Sequence, residues 1–189
     1  MNKEEIKKLL QKLGLDTVGI APIGPYEELR KILQDKADKN LITGMEEADI
    51  EKRINPKLIM EDAKSIIVCA FPYYISEQYQ SNISRYCYGQ DYHLVIKNKL
   101  NNICEEIKSK DNNFKYEVFA DNGPLVDRYL AYLSGIGYYG INNNIITDKY
   151  GSYVFIGYIV NNYELKPDKP INKTCLKVPA ASVRHRGGS

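Results

Sequence analysis

Two stretches of this chain concentrate the residues that could bind or act on a ligand. The first, Ser84 to His93 (SRYCYGQDYH), places Arg85, Tyr86, Gly89, Asp91, Tyr92 and His93 just before a helical pattern. A loop of this kind exposes backbone N–H groups at a helix start, where anionic ligand groups bind favourably. The same residues also make an ordinary capped helix entrance, with Tyr86 and Tyr88 on the core and His93 at the surface. The second stretch centres on Asp121, which closes a strand before Gly123 and Pro124 turn the chain into a helix. A carboxylate at the carboxyl end of a buried strand faces a ligand crevice in many α/β proteins. An Asp before a helix also serves as a plain N-terminal cap.

Other motifs say less. Gly135, Gly137 and Gly140 have the spacing G-x-G-x-x-G, but they follow a helix and precede a strand. A dinucleotide-binding turn needs the reverse order, so that reading is excluded. Asn142, Asn143 and Asn144 could donate amide hydrogen bonds or simply tolerate unusual turn dihedrals. Cys175 follows Pro167, Asp168 and Pro170 with no cysteine after it; taken alone, such a residue is more often inert than a ligand.

The elements that position these residues are legible from periodicity. Ile6, Leu9, Leu10 and Leu13 form one helical face that Gly14 stops. A strand is expected over Thr17 to Ala21, a helix over Tyr26 to Leu33, and a helical turn opened by Pro56. Ser65 to Phe71 is an apolar run suited to a buried strand. Asp91 can cap a helix reaching about Ser109, and Tyr116 to Ala120 reads as a strand. A helix should begin at Pro124 and end near Gly135. Ile145 to Thr147 and Tyr153 to Val160 suggest a hairpin about Lys149 to Ser152. Interleaved strands and helices predict an α/β, or α+β, sandwich with a mixed sheet flanked by helices.

Composition narrows the function classes. The chain has 189 residues, enough for one sizeable domain, with 26 Lys and Arg against 24 Asp and Glu. So small a net charge gives no global field toward nucleic acid or anionic lipid, and any such contact must be local. No apolar run approaches the roughly 20 residues of a membrane span, and the charged opening helix does not read as a signal peptide. A cytoplasmic protein is expected. The four cysteines are scattered, which argues against a disulfide framework. Sixteen tyrosines and no tryptophan could serve a core, a flat-ligand pocket or both. The last stretch, LKVPAASVRHRGGS, has no core periodicity and reads as a disordered tail, an altered frame or an expression scar.

In order, GMEEADIEKRINPKLI, AKSIIVCAFPYY, RYCYGQDYH, DNGPLVDRYLAYLSGIGYYGINN and GSYVFIGYIVNNYELKPDKPINKTC resemble segments of the epoxyqueuosine reductases, from about Gly44 to Cys175. That family reads R-Y-A-x-G-x-D-Y-H, D-x-x-P-x-x-E-R, G-x-G-x-x-G-K-N and G-S-x-x-F-L-G, then reaches the first cysteine of a ferredoxin-like domain. Here Asp127 stands in place of the usual Glu, and Ile141 and Asn142 follow Gly140 where Lys and Asn are usual. Only Cys175 matches the cysteine runs that ligate two 4Fe–4S clusters in the family.

The resemblance implies a nitroreductase-like fold shared with cobalamin-processing proteins, divided here into a cobalamin-binding domain at 1–165 and a linker with a truncated cluster domain at 166–189. It implies reduction of the epoxide of epoxyqueuosine in tRNA to queuosine, with cobalamin as cofactor and an electron-donor protein as partner. It makes Asp121 the proton donor. It places Arg85, Tyr86, Gly89, Asp91, Tyr92 and His93 on the cofactor or substrate side, Gly137, Gly140 and Asn143 around the corrin, and Cys175 as a cluster ligand. Two other expectations remain beside it: a corrinoid-binding module without catalysis, and a nitroreductase-like flavoprotein.

Overall fold

The computed structural model describes residues 1–74, 82–87 and 89–175. The stretch at 176–189, read from sequence as a tail, and Tyr88 lie outside the described residues. Helix α1 (Lys3–Lys12) starts at a reciprocal cap: Asn2 accepts from the Glu5 amide, and the Glu5 carboxylate accepts from the Asn2 amide. Two otherwise orphaned donors are thereby satisfied. Gly14, at φ +79, turns the chain into strand β1 (Val18–Ala21).

Helix α2 (Glu27–Asp38) runs a polar turn beyond the expected end at Leu33. Its last turn needs no apolar residue, because Gln34 donates to Asp38 and Lys39 pairs with Asp35 on the exposed face. Helix α3 (Ile50–Ile54) and a 3-10 turn opened by Pro56 lead into strand β2 (Ser65–Pro72). Helix α4 (Tyr92–Lys110) is capped by Asp91, as expected, and strand β3 (Tyr116–Ala120) follows.

Helix α5 (Asp127–Leu133) begins later than the sequence suggests. Pro124 lies in the preceding loop, where burial of Leu125 pins the chain before the helix can start. The expected hairpin is also corrected. Strand β5 (Ile145–Ile146) pairs with strand β4 (Tyr138–Tyr139), while strand β6 (Val154–Asn161) enters the main sheet. Between β5 and β6 the chain makes a turn closed by an isolated Thr147–Gly151 bridge and by the Thr147 hydroxyl, which accepts from the Tyr150 amide. Six consecutive residues of β6, Ile156 to Asn161, are buried, so it needs neighbours on both edges and cover on both faces.

The sheet order is β1-β2-β6-β3, antiparallel at every pairing. Alternation along β2 sends Ile66, Val68 and Ala70 to one face with α2, α3 and α5, and Ile67, Cys69 and Phe71 to the other with α1 and α4. The result is the predicted layered α/β architecture, with the sheet antiparallel throughout rather than mixed, since no strand pair is joined by a parallel crossover. Gly157 lets α4 approach β6 closely, since a Cβ there would lie 2.7 Å from Ile96 Cγ2. That approach brings the first turn of α4 beside the end of β3. No described helix is long and apolar enough to cross a membrane.

Candidate active site

Asp121 follows the last residue of β3 and has a left-handed backbone, φ +62. The Asn122 amide donates to the Ala120 carbonyl at 2.7 Å, closing a three-residue γ-turn around it. Such a conformation is strained for a residue other than glycine and persists only where its surroundings enforce it. Asp121 caps no helix, so the plainer sequence reading is set aside: Val126 precedes α5 and makes no side-chain cap.

The enforcing partners come from the first turn of α4. The Tyr92 hydroxyl donates to Asp121 Oδ2 at 2.5 Å, and His93 Nε2 lies 3.3 Å from the same oxygen. The other ring nitrogen of His93, Nδ1, is 2.7 Å from Asp91 Oδ1. One imidazole therefore bridges two carboxylates. Asp91 also accepts from the His93 amide, which fixes both residues at the helix start. The Tyr92 ring stacks on Phe155, centroids 3.8 Å apart and planes 3° from parallel, so α4 and β6 together set its position.

This cluster opens into a cleft of about 330 Å³ lined by Tyr73, Tyr86, Tyr92, Phe155, Asp121, Asp127 and Arg128 among others. A second, mainly apolar groove of about 430 Å³ shares Tyr73, Tyr86, Tyr92 and Phe155 with it and includes Gly89. On the far side of Asp121 a polar cleft of about 710 Å³ carries Glu46, Glu47, Lys52 and Arg53. Asp121, half exposed, stands where an aromatic wall meets a polar one.

The electrostatics follow from this placement. The His93 side chain and amide hold the Asp91 carboxyl below its usual range. Burial first, and then the hydrogen bond to Asp121, pushes the Tyr92 phenol up, so Tyr92 stays a donor at neutral pH. Burial also raises the Asp127 carboxyl, with the Asp121 charge adding to it and Arg128 opposing.

Of the residues singled out in the sequence, Asp91, Tyr92, His93 and Asp121 meet in one hydrogen-bonded cluster, and Tyr86 and Gly89 line the adjoining clefts. Arg85 lies in a 3-10 turn, Arg85–Cys87; its side chain is outside the described structure. Asn143 has φ +61, and its carbonyl accepts from Arg128 at 3.3 Å, tying the 140–144 loop to the cleft. Gly137 and Gly140 space the β4–β5 hairpin, packed against Ile145 and Ile146. Among the described residues no three His, Cys, Asp or Glu side chains converge as a metal site, around Cys175 or elsewhere.

Sequence reasoning missed Tyr73, Phe155 and Arg128 as cleft residues, and noted Asp127 only for its identity. Phe155 sits in an apolar strand that reads as core. The adjacent charges of Asp127 and Arg128, closely following Asp121, were the available signal.

Comparison with known proteins follows the same lines. The family model Epoxyqueuosine reductase QueG, DUF1730 matches residues 53–122, which include Tyr92, His93 and Asp121. The epoxyqueuosine reductase of Bacillus cereus is 36% identical over 183 residues, 92% of this chain and 48% of that protein. The structure of the Streptococcus thermophilus epoxyqueuosine reductase superposes with a TM-score of 0.85 at 34% identity, over 94% of this chain and 50% of the other. An epoxyqueuosine reductase crystallised with an epoxyqueuosine-modified tRNA-Tyr stem loop gives 0.82 at 32% identity, over 91% of this chain and 48% of the other. A reductive dehalogenase, described through B12-dependent dehalogenation, shares the fold at a TM-score of 0.56 and 14% identity, over 89% of this chain and 20% of that one. The chain spans about half the length of the curated relatives it matches.

Proposed function

We propose, from the premise that this chain belongs by sequence and fold to the epoxyqueuosine reductase family, that it is the amino-terminal, cobalamin-binding and acid-bearing part of a cytoplasmic reductase acting on epoxyqueuosine in tRNA. The observation that carries this reading is Asp121, fixed in a strained turn between Tyr92 and His93 at the mouth of an open aromatic cleft. Residues 1–165 would form the cobalamin-binding domain and 166–189 a linker into the cluster domain.

The residues fit one face of a flat macrocycle. Tyr92 and Phe155 stack almost parallel and, with Tyr73 and Tyr86, give a broad apolar wall open to one side. Arg85, Gly89, Asp91 and His93 would border the bound group, and Gly137, Gly140 and Asn143 would shape the loop across from them. Cobalamin, when bound, would supply the reducing electrons at its cobalt. The described residues do not fit an iron–sulfur cluster, for which Cys175 would be a single ligand, so the electrons would come from clusters outside the described residues, in the domain to which 166–189 would lead or on a partner.

The balanced reaction takes the epoxide, two electrons and two protons to an alkene and water. Expelling the oxygen as a free alkoxide is unfavourable, and a positioned acid is worth ~10²–10⁴-fold. Asp121 would give the departing oxygen its proton. His93, between Asp121 and Asp91, offers a route for replacing it, while Tyr92 keeps the carboxyl aimed into the cleft. The polar wall with Lys52 and Arg53 would face the nucleotide.

The test is an absorbance titration of the chain with cobalamin. It is followed by a single turnover with chemically reduced cobalamin and an epoxyqueuosine-bearing stem loop, read by mass spectrometry. Binding together with queuosine formation, lost in Asp121→Asn while binding persists, is the expected result. Binding without turnover even beside a cluster-bearing partner would leave a corrinoid-binding module. A yellow, flavin-loaded protein indifferent to cobalamin would overturn the proposal.

A further inference from the structure

Tyr158, in the centre of β6, is completely buried, and its hydroxyl has no hydrogen-bond partner among the described residues. A buried hydroxyl left in that state is an exception in native folds. Its ring stacks on Phe119, centroids 5.1 Å apart, which is its register partner on β3. The chain leaving β3 therefore folds directly over the phenol. Gly123, two residues after Asp121, sits so close that a Cβ there would overlap the Tyr158 oxygen and lie 2.8 Å from ring carbon Cζ. The Leu125 amide faces the oxygen without completing a hydrogen bond. A phenylalanine would fill the same apolar space; the oxygen is the atom that reaches the loop.

We propose that Tyr158 is a positioning residue, its phenol oxygen the stop on which the Asp121–Pro124 turn rests and which keeps Asp121 within reach of Tyr92 and His93. The inference rests on Asp121 as the acid of the proposed reaction. Gly123 is required because any side chain there would lift the turn off that stop. Without the oxygen, the turn would settle inward. Either displacement lengthens the short Tyr92–Asp121 hydrogen bond.

The Tyr92 Cζ carbon reports that bond at neutral pH, since donation to a carboxylate moves its signal toward the phenolate position. In the chain as it stands, with tyrosine labelled at Cζ and the signal assigned by Tyr92→Phe, carbon NMR gives the Tyr92 shift. Tyr158→Phe and Gly123→Ala should each move it back toward the shift of a free tyrosine. The double variant should lie closer to wild type than Gly123→Ala alone, because the added methyl takes the place of the missing oxygen. Should Gly123→Ala fail to fold, Tyr158→Leu must move the shift at least as far as Tyr158→Phe. Unchanged shifts in the single variants, or no recovery in the double, would overturn the proposal. No cobalamin or RNA enters these spectra, so failure of the reductase reading shows separately, as absent corrinoid binding.

Discussion

The Tyr92 hydroxyl and the Asp121 carboxylate, 29 positions apart in sequence, meet at 2.5 Å and join the first turn of α4 to the end of β3. Tyr92→Phe keeps the stack on Phe155 and removes the donor. The bond lies near the surface, so its loss should cost about 1 kcal/mol or less. The strained turn should then open several-fold more often. Hydrogen exchange of the Asn122 and Gly123 amides measures this directly, and unchanged rates would mean the turn is set elsewhere.

Asp168 fastens the segment after β6 back onto the start of the fold. Its carboxylate accepts from Lys3 at 2.5 Å, Lys7 at 2.8 Å and the Ile20 amide at 2.9 Å. Burial works to raise this carboxyl, but the two ammonium groups and the amide outweigh it and hold it below its ordinary range. A lowered folded-state pKa contributes stability that is present above the unfolded value of about 3.9 and lost as pH falls through the folded one. Asp168→Asn should therefore cost about 1–2 kcal/mol at neutral pH, with the gap to wild type closing in acid. Urea unfolding at both pH values tests this.

Gly157→Ala should be more damaging than its size suggests. The added methyl would sit 2.7 Å from Ile96 Cγ2 and 3.0 Å from Leu100 Cδ1, both on α4. Overpacking of this kind costs about 1–3 kcal/mol. Because α4 carries Tyr92 and His93, corrinoid binding should weaken along with the unfolding midpoint. A shift in stability alone would show that α4 yields without disturbing the cleft.

Alkaline pH should erode stability through named tyrosines. Burial, opposed by Arg128 and reinforced by Asp127, raises Tyr139 to about 12. Burial and the hydrogen bond to Asp111 raise Tyr163 to about 12. A raised folded-state pKa leaves stability intact below the unfolded value of about 10, and the contribution is lost as pH climbs toward 12. Unfolding midpoints should fall across that window, and Tyr163→Phe should flatten part of the fall. A flat profile in wild type would contradict the burial of these phenols.

Much of the fold was legible because local signals and tertiary demands agree. The apolar run at Ser65 to Phe71 is β2, Asp91 caps α4, and Gly14 ends the first helix. The failures have a common cause. Ile145 to Thr147 and Tyr153 to Val160 look like hairpin partners from their separation, but β6 is apolar on both faces and sorts to the sheet interior. From pattern alone Asp121 read first as a cap, because the γ-turn holding it depends on Tyr92 and His93, which a local reading cannot bring near. Phe155 and Tyr73 carry no sequence mark beyond being aromatic.

The sheet order also sets a schedule for synthesis. Among the described residues β6 is the last strand of the main sheet; it lies between β2 and β3, and β3 has no other partner there. While a ribosome is still short of Val154, β1 and β2 can pair, but β3 waits alone and the Asp121 turn has neither Phe155 nor Tyr158 to shape it. Closure of the sheet and assembly of the site are thus one late event, dependent on contacts between distant parts of the chain. A nascent chain stalled before that point would carry the cluster's residues but not the cluster.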